Sequence, residues 1–374
     1  MMAPDLGSLR ERIEAVDRQI IALFAERLKI VEDVVAAKLT TASPVRDRER
    51  EELLLQRLRG LAVAAGLDAH SIERIYRVVM DMSVAHQEAT MRNRPDAPLR
   101  IAYQGVEGSY SHLAAQRRYA GRAGGAMLTG HGSFRAAADA VTSGLADLAL
   151  LPIENTTAGS INETYDLLAA GALHITGEVV SAIEHCLLAL PGVAFEELRT
   201  VMSHPQALAQ CHELFAGHPQ LTARADLDTA GAAQRVATAN DRTLAAIASS
   251  AAAQRYGLAV VARGINSAAG NATRFVEVAT RPAPVPDGAA AKTSLVFALA
   301  DRPGVLGEIL SRLAARTLSL TKLESRPIPE APFTYRFYAD VLGHAASEPF
   351  HAALDDIRPL TTDLRVLGTY PAAV

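Results

Sequence analysis

The sequence has no tryptophan and few aromatic residues of any kind: 5% of 374 residues, against 49% hydrophobic residues. Ala, Val and Leu must therefore fill the interior. Cysteine is nearly absent. Cys186 and Cys211 sit in mixed apolar and polar stretches without metal-ligand spacing, so they read as buried free thiols, and a disulfide framework is excluded. Excess basic charge is missing too. A formal net charge of -4 and a pI near 6.3 exclude the overall basic field of a nucleic-acid binder, and leave local cationic clusters to serve small anions. No apolar run reaches the ~18 residues of a membrane span. The start, Met1-Met2-Ala3-Pro4-Asp5, lacks the basic and then apolar pattern of a leader. A cytoplasmic protein of roughly two or three domains is expected.

What is present falls into three patterns. From residue 6 to about residue 38, apolar side chains such as Leu9, Ile13, Val16, Ile20, Leu23, Ile30 and Val34 recur at steps of three and four. That is the period of one long amphipathic helix. Pro44 marks a break, and residues 46–65 and 68–92 read as two more helices divided at Gly66. At ~1.5 Å per residue the first helix is about 50 Å long, more than a module of about ninety residues can cover, which predicts a partner chain and most simply a two-fold dimer.

Residues 92–98 form a polar, proline-containing linker, after which strand and helix patterns alternate as far as residue 278. This predicts an α/β region. Strands are expected at 99–103, 148–152, 200–202, 244–247 and 258–261, and helices at 109–119, 133–142, 160–169, 206–215 and 229–239. A stiff spacer with Pro282, Pro284 and Pro286 follows. The pattern then restarts as β-α-β-β-α-β: strand 294–299, turn 301–304, helix 305–315, strands 318–325 and 335–342, helix 348–360 and strand 364–370.

Two features point to anionic ligands. The apolar residues 148–152 run into Ile153-Glu154-Asn155-Thr156-Thr157-Ala158-Gly159-Ser160 and then a helical pattern. Free N–H groups at a helix start, its dipole, and small hydroxyl and amide side chains at the carboxyl end of a buried strand suit an anion. In the first helix, Arg27 and Lys38 project from one face with Cα atoms ~16 Å apart along the axis. Arg10 lies on another face, ~25 Å from Arg27, and reaches the same ligand only from the other protomer. Asp47, Arg50 and Glu51 share a face, as do Ser83 and Gln87. Taken singly, each is readable as a solvated charge or an intrahelical pair worth about 0.3 to 0.5 kcal/mol. Together they suit a dicarboxylate bearing a hydroxyl.

These residues also carry a resemblance. Pro152-Ile153-Glu154-Asn155-Thr156, Gly159-Ser160 and Tyr165-Asp166-Leu167-Leu168 resemble the signature of the prephenate dehydratases. Far downstream, Asn271-Ala272-Thr273-Arg274-Phe275 resembles that family's threonine-arginine-phenylalanine motif. Arg10, Arg27, Lys38, Asp47, Arg50, Glu51, Ser83 and Gln87 are similar, one by one, to the active-site residues of the all-helical chorismate mutases. Asp301-Arg302-Pro303-Gly304-Val305-Leu306-Gly307 and Glu324-Ser325-Arg326-Pro327 resemble the phenylalanine-binding motifs of ACT domains. Nearly the whole chain thus resembles a bifunctional chorismate mutase and prephenate dehydratase with a C-terminal ACT domain.

The resemblance implies a multidomain chain. An all-α, three-helix chorismate mutase domain would span 1–92. A two-lobed α/β dehydratase domain, like the periplasmic binding proteins, would span 99–280, with its cleft between a lobe of 99–177 plus 264–280 and a lobe of 178–263. An α+β, ferredoxin-like ACT domain would span 292–374. The implied chemistry is rearrangement of chorismate to prephenate and then its decarboxylation and dehydration to phenylpyruvate, with feedback inhibition by phenylalanine. It needs neither metal nor organic cofactor. The expected assembly is a homodimer or higher homo-oligomer that binds neither nucleic acid nor membrane.

Site roles follow from the same resemblance. In the mutase, Arg10 and Arg27 would clamp carboxylates, and Lys38 and Gln87 would donate to the ether oxygen as its bond breaks. Glu51 would bind the substrate hydroxyl, Asp47 and Arg50 would hold a lid, and Ser83 would add a polar contact. In the dehydratase, Thr273 would hydrogen-bond the leaving hydroxyl, while Arg274 would bind a carboxylate or strengthen Thr273. Glu154, Asn155, Thr156 and Ser160 would line one lobe, with Ser203 and Gln210 closing from the other. Phe275 would pack in the core. Glu154 is also readable as a carboxylate at a helix start, His204 as a turn residue or a titrating group, and Gly108-Ser109-Tyr110-Ser111 as a cap or an anion contact. In the last module Gly304, Val305 and Leu306 would offer helix-start amides to an amino-acid carboxylate, Glu324 or nearby carbonyls would take its ammonium, and Ser325, Arg326 and Pro327 would belong to the same effector site. Two rival readings use the same residues: a dehydratase whose helical domain only dimerises, and a non-catalytic small-anion or amino-acid sensor.

Overall fold

Helices alone build the first of the two units into which the chain divides, Met1–Pro98 and Leu99–Val374. The computed structural model describes residues 6–41, 48–92, 97–285, 289–299, 302–328 and 331–373. In the first unit α1 (Leu6–Thr41), α2 (Arg48–Ala64) and α3 (Ala69–Arg92) follow the expected pattern to within a few residues. Gly66, at φ +72°, makes the turn between α2 and α3, a conformation open to glycine at little cost. Val31, Val35, Leu55, Ala62, Val79 and Met80 are buried, but Leu6, Ile13, Val16, Ile20, Ile21 and Leu23 on the first half of α1 stay exposed.

The second unit opens with β1 (Leu99–Gln104), α4 (Tyr110–Tyr119), β2 (Ala126–His131), α5 (Phe134–Thr142), β3 (Leu148–Asn155), β4 (Gly159–Ser160), α6 (Asn162–Ala169) and β5 (His174–Ala182). The chain then crosses to β6 (Cys186–Ala189), β7 (Thr200–Ser203), α7 (Pro205–Gln210), α8 (His212–Gly217), β8 (Thr222–Ala225), α9 (Thr229–Ala239), β9 (Leu244–Ala248), α10 (Ser250–Tyr256) and β10 (Ala259–Ala262). It returns as β11 (Ala272–Ala279). The first sheet has the order β2-β1-β3-β11-β5, with β4 paired to β3, and the second the order β10-β6-β9-β7-β8. Two sheets joined by two crossings make two lobes. In the first sheet β1, β2 and β3 are parallel, and β11 lies antiparallel between β3 and β5.

The last part comprises β12 (Ala291–Leu299), α11 (Val305–Ala315), β13 (Leu320–Ile328), β14 (Ala331–Leu342), α12 (Glu348–Ile357) and β15 (Thr361–Pro371). Its sheet has the order β13-β14-β12-β15. Leu295, Phe297, Ile309, Leu313, Phe350 and Ile357 form the core between this sheet and its two helices. The other face of the sheet is not left to solvent: Val296, Tyr338, Leu367 and Tyr370 join Ile153, Tyr165, Ile175 and Val276 in one apolar cluster. Strand β3 is buried along almost its whole length, as a strand covered on both faces should be.

Three expectations change. The helix expected from residue 160 begins at Asn162, because Gly159 and Ser160 turn back to pair with Asn155 and Glu154. The helix expected over 206–215 is two short helices that meet at Cys211. Strands β2, β5, β6 and β8 and helix α10 are absent from the sequence reading. The residues of β8 are all exposed, and none of β2 is fully buried, which leaves no strong hydrophobic alternation to read.

Candidate active sites

In the helical unit, a cavity of about 170 Å³ is lined by Arg27, Lys38, Arg50, Glu51, Ser83 and Gln87, with Val31, Val34, Leu54, Met80 and Val84 as its apolar wall. Six of the eight residues singled out from the sequence therefore meet there. Arg27 donates to the Ser83 hydroxyl, which donates in turn to the Val79 carbonyl at 2.8 Å. Gln87 is buried, and its Oε1 has no hydrogen-bond partner among the described residues. Arg10 is exposed and is not among the lining residues, as its place on another face of α1 requires. Asp47 lies outside the described residues.

The second cavity, of about 400 Å³, takes its lining from both lobes. It sits at the carboxyl ends of strands, where helices begin. Ser109 caps α4, Ser133 caps α5, His204 precedes α7 and Asp228 caps α9; each accepts from its own helix's first turn and each lines the cavity. Among the described residues, no lysine or arginine does so. The converging helix starts supply positive potential for an anion, against the carboxylates of Glu163 and Asp228, which also line the cavity.

On the floor, Thr273 is buried. Asn155 Nδ2 donates to Thr273 Oγ1 at 3.0 Å and to Asn271 Oδ1 at 2.8 Å. The orientation of this amide is fixed by chemistry, since its Oδ1 accepts from the backbone N–H groups of Thr157 (3.0 Å) and Ala158 (2.9 Å), which can only donate. Nδ2, which also lies 3.1 Å from the Ala272 carbonyl, only donates, so the Thr273 hydroxyl proton is directed away from Asn155. Gln210 reaches across from α7, with Nε2 3.0 Å from Asn155 Oδ1 and 2.6 Å from Thr157 Oγ1.

Neighbours of these residues in sequence face elsewhere. Successive strand residues point to opposite sides, so β11 sends Thr273 and Phe275 into the cavity and Arg274 to the far face. A bulge at Ile153 lets both Pro152 and Asn155 of β3 follow suit, opposite Phe275 and Thr273, while Glu154 sits opposite Arg274. Arg274, expected to act on the ligand of Thr273, instead meets the C-terminal sheet: Nη1 lies 2.6 Å from Asp340 and 3.3 Å from Glu178. Burial works against this cation, but Asp340 beside it raises its pKa.

Glu154 pairs with Lys322 at 2.9 Å, and Ser160 donates to Glu324 at 2.6 Å. Neither is among the cavity-lining residues. The Thr156 hydroxyl ties its turn to the approach of β11, donating to the Gly270 carbonyl at 3.1 Å and accepting from the Ala272 N–H at 2.9 Å. Ser203 is fully buried and donates to the Ile247 carbonyl at 2.6 Å, behind the cavity wall. In the turn before α6, the backbone N–H groups of Thr157 and Ala158 donate to Asn155 Oδ1. Of the dehydratase residues singled out, Asn155, Gln210 and Thr273 come together around the cavity.

In the C-terminal sheet, Gly304 takes a left-handed conformation (φ +81°) just before α11. Alternation along β13 turns Glu324 and Arg326 toward the neighbouring lobe, where Arg326 pairs with Asp166 at 2.8 Å, and leaves Ser325 and Pro327 exposed. Arg302 pairs with Glu308; Asp301 lies outside the described residues.

Sequence reasoning passes over His185 as a site residue, and names Tyr110 and Asn271 only within longer stretches, without a role of their own. His185 is buried and lines the cavity. No spacing marks it, because it lies on the crossing between lobes rather than on a periodic element.

With the geometry in place, comparison with known proteins agrees in both halves. Residues 9–88 match the type II chorismate mutase family and residues 101–283 the prephenate dehydratase family. The chain is similar to the bifunctional chorismate mutase/prephenate dehydratase of Enterobacter agglomerans, 40% identical over 378 residues that cover 99% of this chain and 97% of the relative. The bifunctional enzyme of Escherichia coli K12 is 39% identical, with 98% and 96% covered. A solved prephenate dehydratase from Arthrobacter aurescens, in complex with L-Phe, superposes with a TM-score of 0.66 at 31% identity, covering 74% of this chain and 93% of that one. The chain belongs to the family of bifunctional chorismate mutase/prephenate dehydratases.

Proposed function

We propose how the residues divide the two activities, conversion of chorismate to prephenate and of prephenate to phenylpyruvate. The mutase reaction is a unimolecular rearrangement that needs no nucleophile, so its site acts as an electrostatic mould. Arg27, with Arg10 from a second protomer, holds carboxylates in the reactive conformer. Lys38 and Gln87 donate to the ether oxygen as negative charge grows there, each worth about 3 kcal/mol when pre-organised. The Gln87 amide is buried at the cavity, and its Oε1 has no partner among the described residues, which supports a ligand group beside this side chain.

In the cleft, the bond from the ring to its carboxylate breaks, and its electrons restore aromaticity and expel the ring hydroxyl. Carbon dioxide and water leave, the water taking one proton. Thr273 faces this leaving oxygen with its hydroxyl proton, and the observation that carries the reading is the Asn155 amide that fixes that proton's direction. Gln210 closes from the other lobe, and the helix starts hold the carboxylates. Arg274, Glu154 and Ser160 serve the contact with the C-terminal sheet. That sheet and its helices form a ferredoxin-like ACT module that senses phenylalanine, with Gly304, Val305 and Leu306 at the helix start and Ser325, Arg326, Pro327 and Glu324 at the end of β13. The L-Phe bound to the Arthrobacter aurescens relative supports this reading. The enzyme acts as a cytoplasmic homodimer.

The test follows chorismate, prephenate and phenylpyruvate in one assay. Thr273→Ala should lower dehydration by about 10²- to 10³-fold, the effect of one pre-organised donor, and leave the mutase rate unchanged. Full dehydratase turnover in that variant would remove Thr273 from the mechanism. Phenylalanine should slow the intact enzyme; unchanged kinetics at saturating phenylalanine would remove the sensor.

A further inference from the structure

His185 lines the cavity, and the mechanism above has no use for its imidazole. His185 follows β5 on the crossing to β6, with its backbone N–H donating to Asn266 Oδ1 of the returning crossing at 2.8 Å and its carbonyl accepting from the Ile265 N–H at 3.0 Å. Its ring is held on both sides: Nε2 lies 2.8 Å from Gln210 Oε1, and Nδ1 lies 2.8 Å from the Tyr110 hydroxyl.

From Asn155 as far as His185 Nε2, the direction of the protons follows from the two backbone amides at the far end of this chain; the Tyr110 hydroxyl, beside Nδ1, also faces the Glu184 carbonyl at 2.8 Å. Thr157 and Ala158 fix Asn155 Oδ1 as an acceptor, so the Gln210 atom that touches it must be Nε2. The other Gln210 atom, Oε1, therefore faces Asn271 Nδ2 (3.2 Å) and His185. An amide oxygen only accepts, so His185 Nε2 carries hydrogen. Burial pushes the imidazole pKa below its usual 6.5, and Nδ1 is left as an acceptor beside a tyrosine that burial keeps protonated.

We propose that His185 is a positioning residue of the dehydratase reaction, whose Nε2–H locks the Gln210 amide and, through Asn155, holds the Thr273 hydroxyl proton toward the substrate. It acts on Thr273 through a side chain contributed by the opposite lobe. This rests on the assignment of Thr273 above. Without the imidazole N–H, Gln210 keeps one of its two donors to Oε1 and the relay loses its anchor at the crossing.

The test compares His185→Phe, which keeps a ring and removes the donor, with His185→Gln, whose amide N–H reaches the place of Nε2. For prephenate, His185→Phe should lower kcat about tenfold with KM within about twofold, the scale of one lost hydrogen bond acting in the transition state, and His185→Gln should recover most of it. In a Gln210→Ala background, His185→Phe should add almost nothing, since the two act in series. Equal losses in Phe and Gln variants, additive losses with Gln210→Ala, or full turnover in His185→Phe would overturn the proposal. Should a variant fail to fold, the ¹⁵N shifts of the His185 ring in the unsubstituted enzyme decide: hydrogen on Nε2 alone at neutral pH is expected, and hydrogen on Nδ1 refutes it. Loss of the Thr273 assignment would show separately, as dehydratase activity retained in Thr273→Ala.

Discussion

Thr273 and Arg274 are joined by a peptide bond and serve opposite faces of one strand. The motif that contains them reads as a single unit in sequence, but a strand's period of two splits it, and only Thr273 and Phe275 reach the cavity. Arg274 lies in a nearly dry ionic cluster whose partners Asp340 and Glu178 come from the C-terminal sheet and from β5. Lys292 also binds Glu178, at 2.6 Å, and Ser294 donates to Asp340 at 2.6 Å, so removal of Arg274 leaves Asp340 the more exposed of the two to an unpaired charge. Arg274→Leu should destabilise the second unit by about 3 kcal/mol, the scale for breaking a buried ion pair from one side. Asp340→Asn in the same chain should restore part of it. Denaturant unfolding of the single and double variants measures both. A substrate-binding Arg274 would give a different result, a large rise in KM for prephenate at unchanged stability.

At the scale of elements, the cleft is a ring of helix starts. Ser109, Ser133 and Asp228 cap helices of ten, nine and eleven residues around a cavity that no cation lines among the described residues. The substrate is a dianion, so a further negative charge at a helix start, added to those of Asp228 and Glu163, should oppose it directly. Ser133→Asp is suited to show this, because Asp caps a helix as well as Ser does and the fold is spared. KM for prephenate should rise about tenfold, with thermal stability and kcat little changed, from one added repulsion at short range in a partly hydrated site. An unchanged KM would place the carboxylates elsewhere. Much of this layout is legible in the chain, since serine or aspartate ahead of an apolar helical run marks α4, α5 and α9. The C-terminal β-α-β-β-α-β order is equally legible, because each strand has a buried face. The hairpin at 155–160 is not, because side-chain hydrogen bonds from Asn155 hold it, and a polar stretch before a helix looks the same whether its amides are free or taken. His185 and the far-face roles of Glu154, Ser160 and Arg274 depend on which lobe or sheet lies opposite, a long-range fact that local pattern does not contain.

At the scale of the whole molecule, the proposed dimer accounts for two features of the helical unit. The first half of α1 exposes Leu6, Ile13, Val16, Ile20 and Leu23, and the cavity of Arg27, Lys38 and Gln87 lacks the second carboxylate clamp that Arg10 would supply. Both deficits are met if α1 of one protomer lies along the other, burying the apolar stripe and bringing Arg10 of each chain to the cavity of its partner. Complementation tests this. Arg10→Ala and Gln87→Ala should each lose most mutase activity as homodimers. Mixed and allowed to exchange subunits, they form heterodimers in which one site carries both changes and the other carries neither. With half of the dimers mixed and half of their sites intact, about a quarter of the normal mutase rate should return, a recovery open only to a site shared across a two-fold axis. If Arg10 acts within its own chain, every site in the mixture keeps one lesion, and the rate stays at the level of the parents.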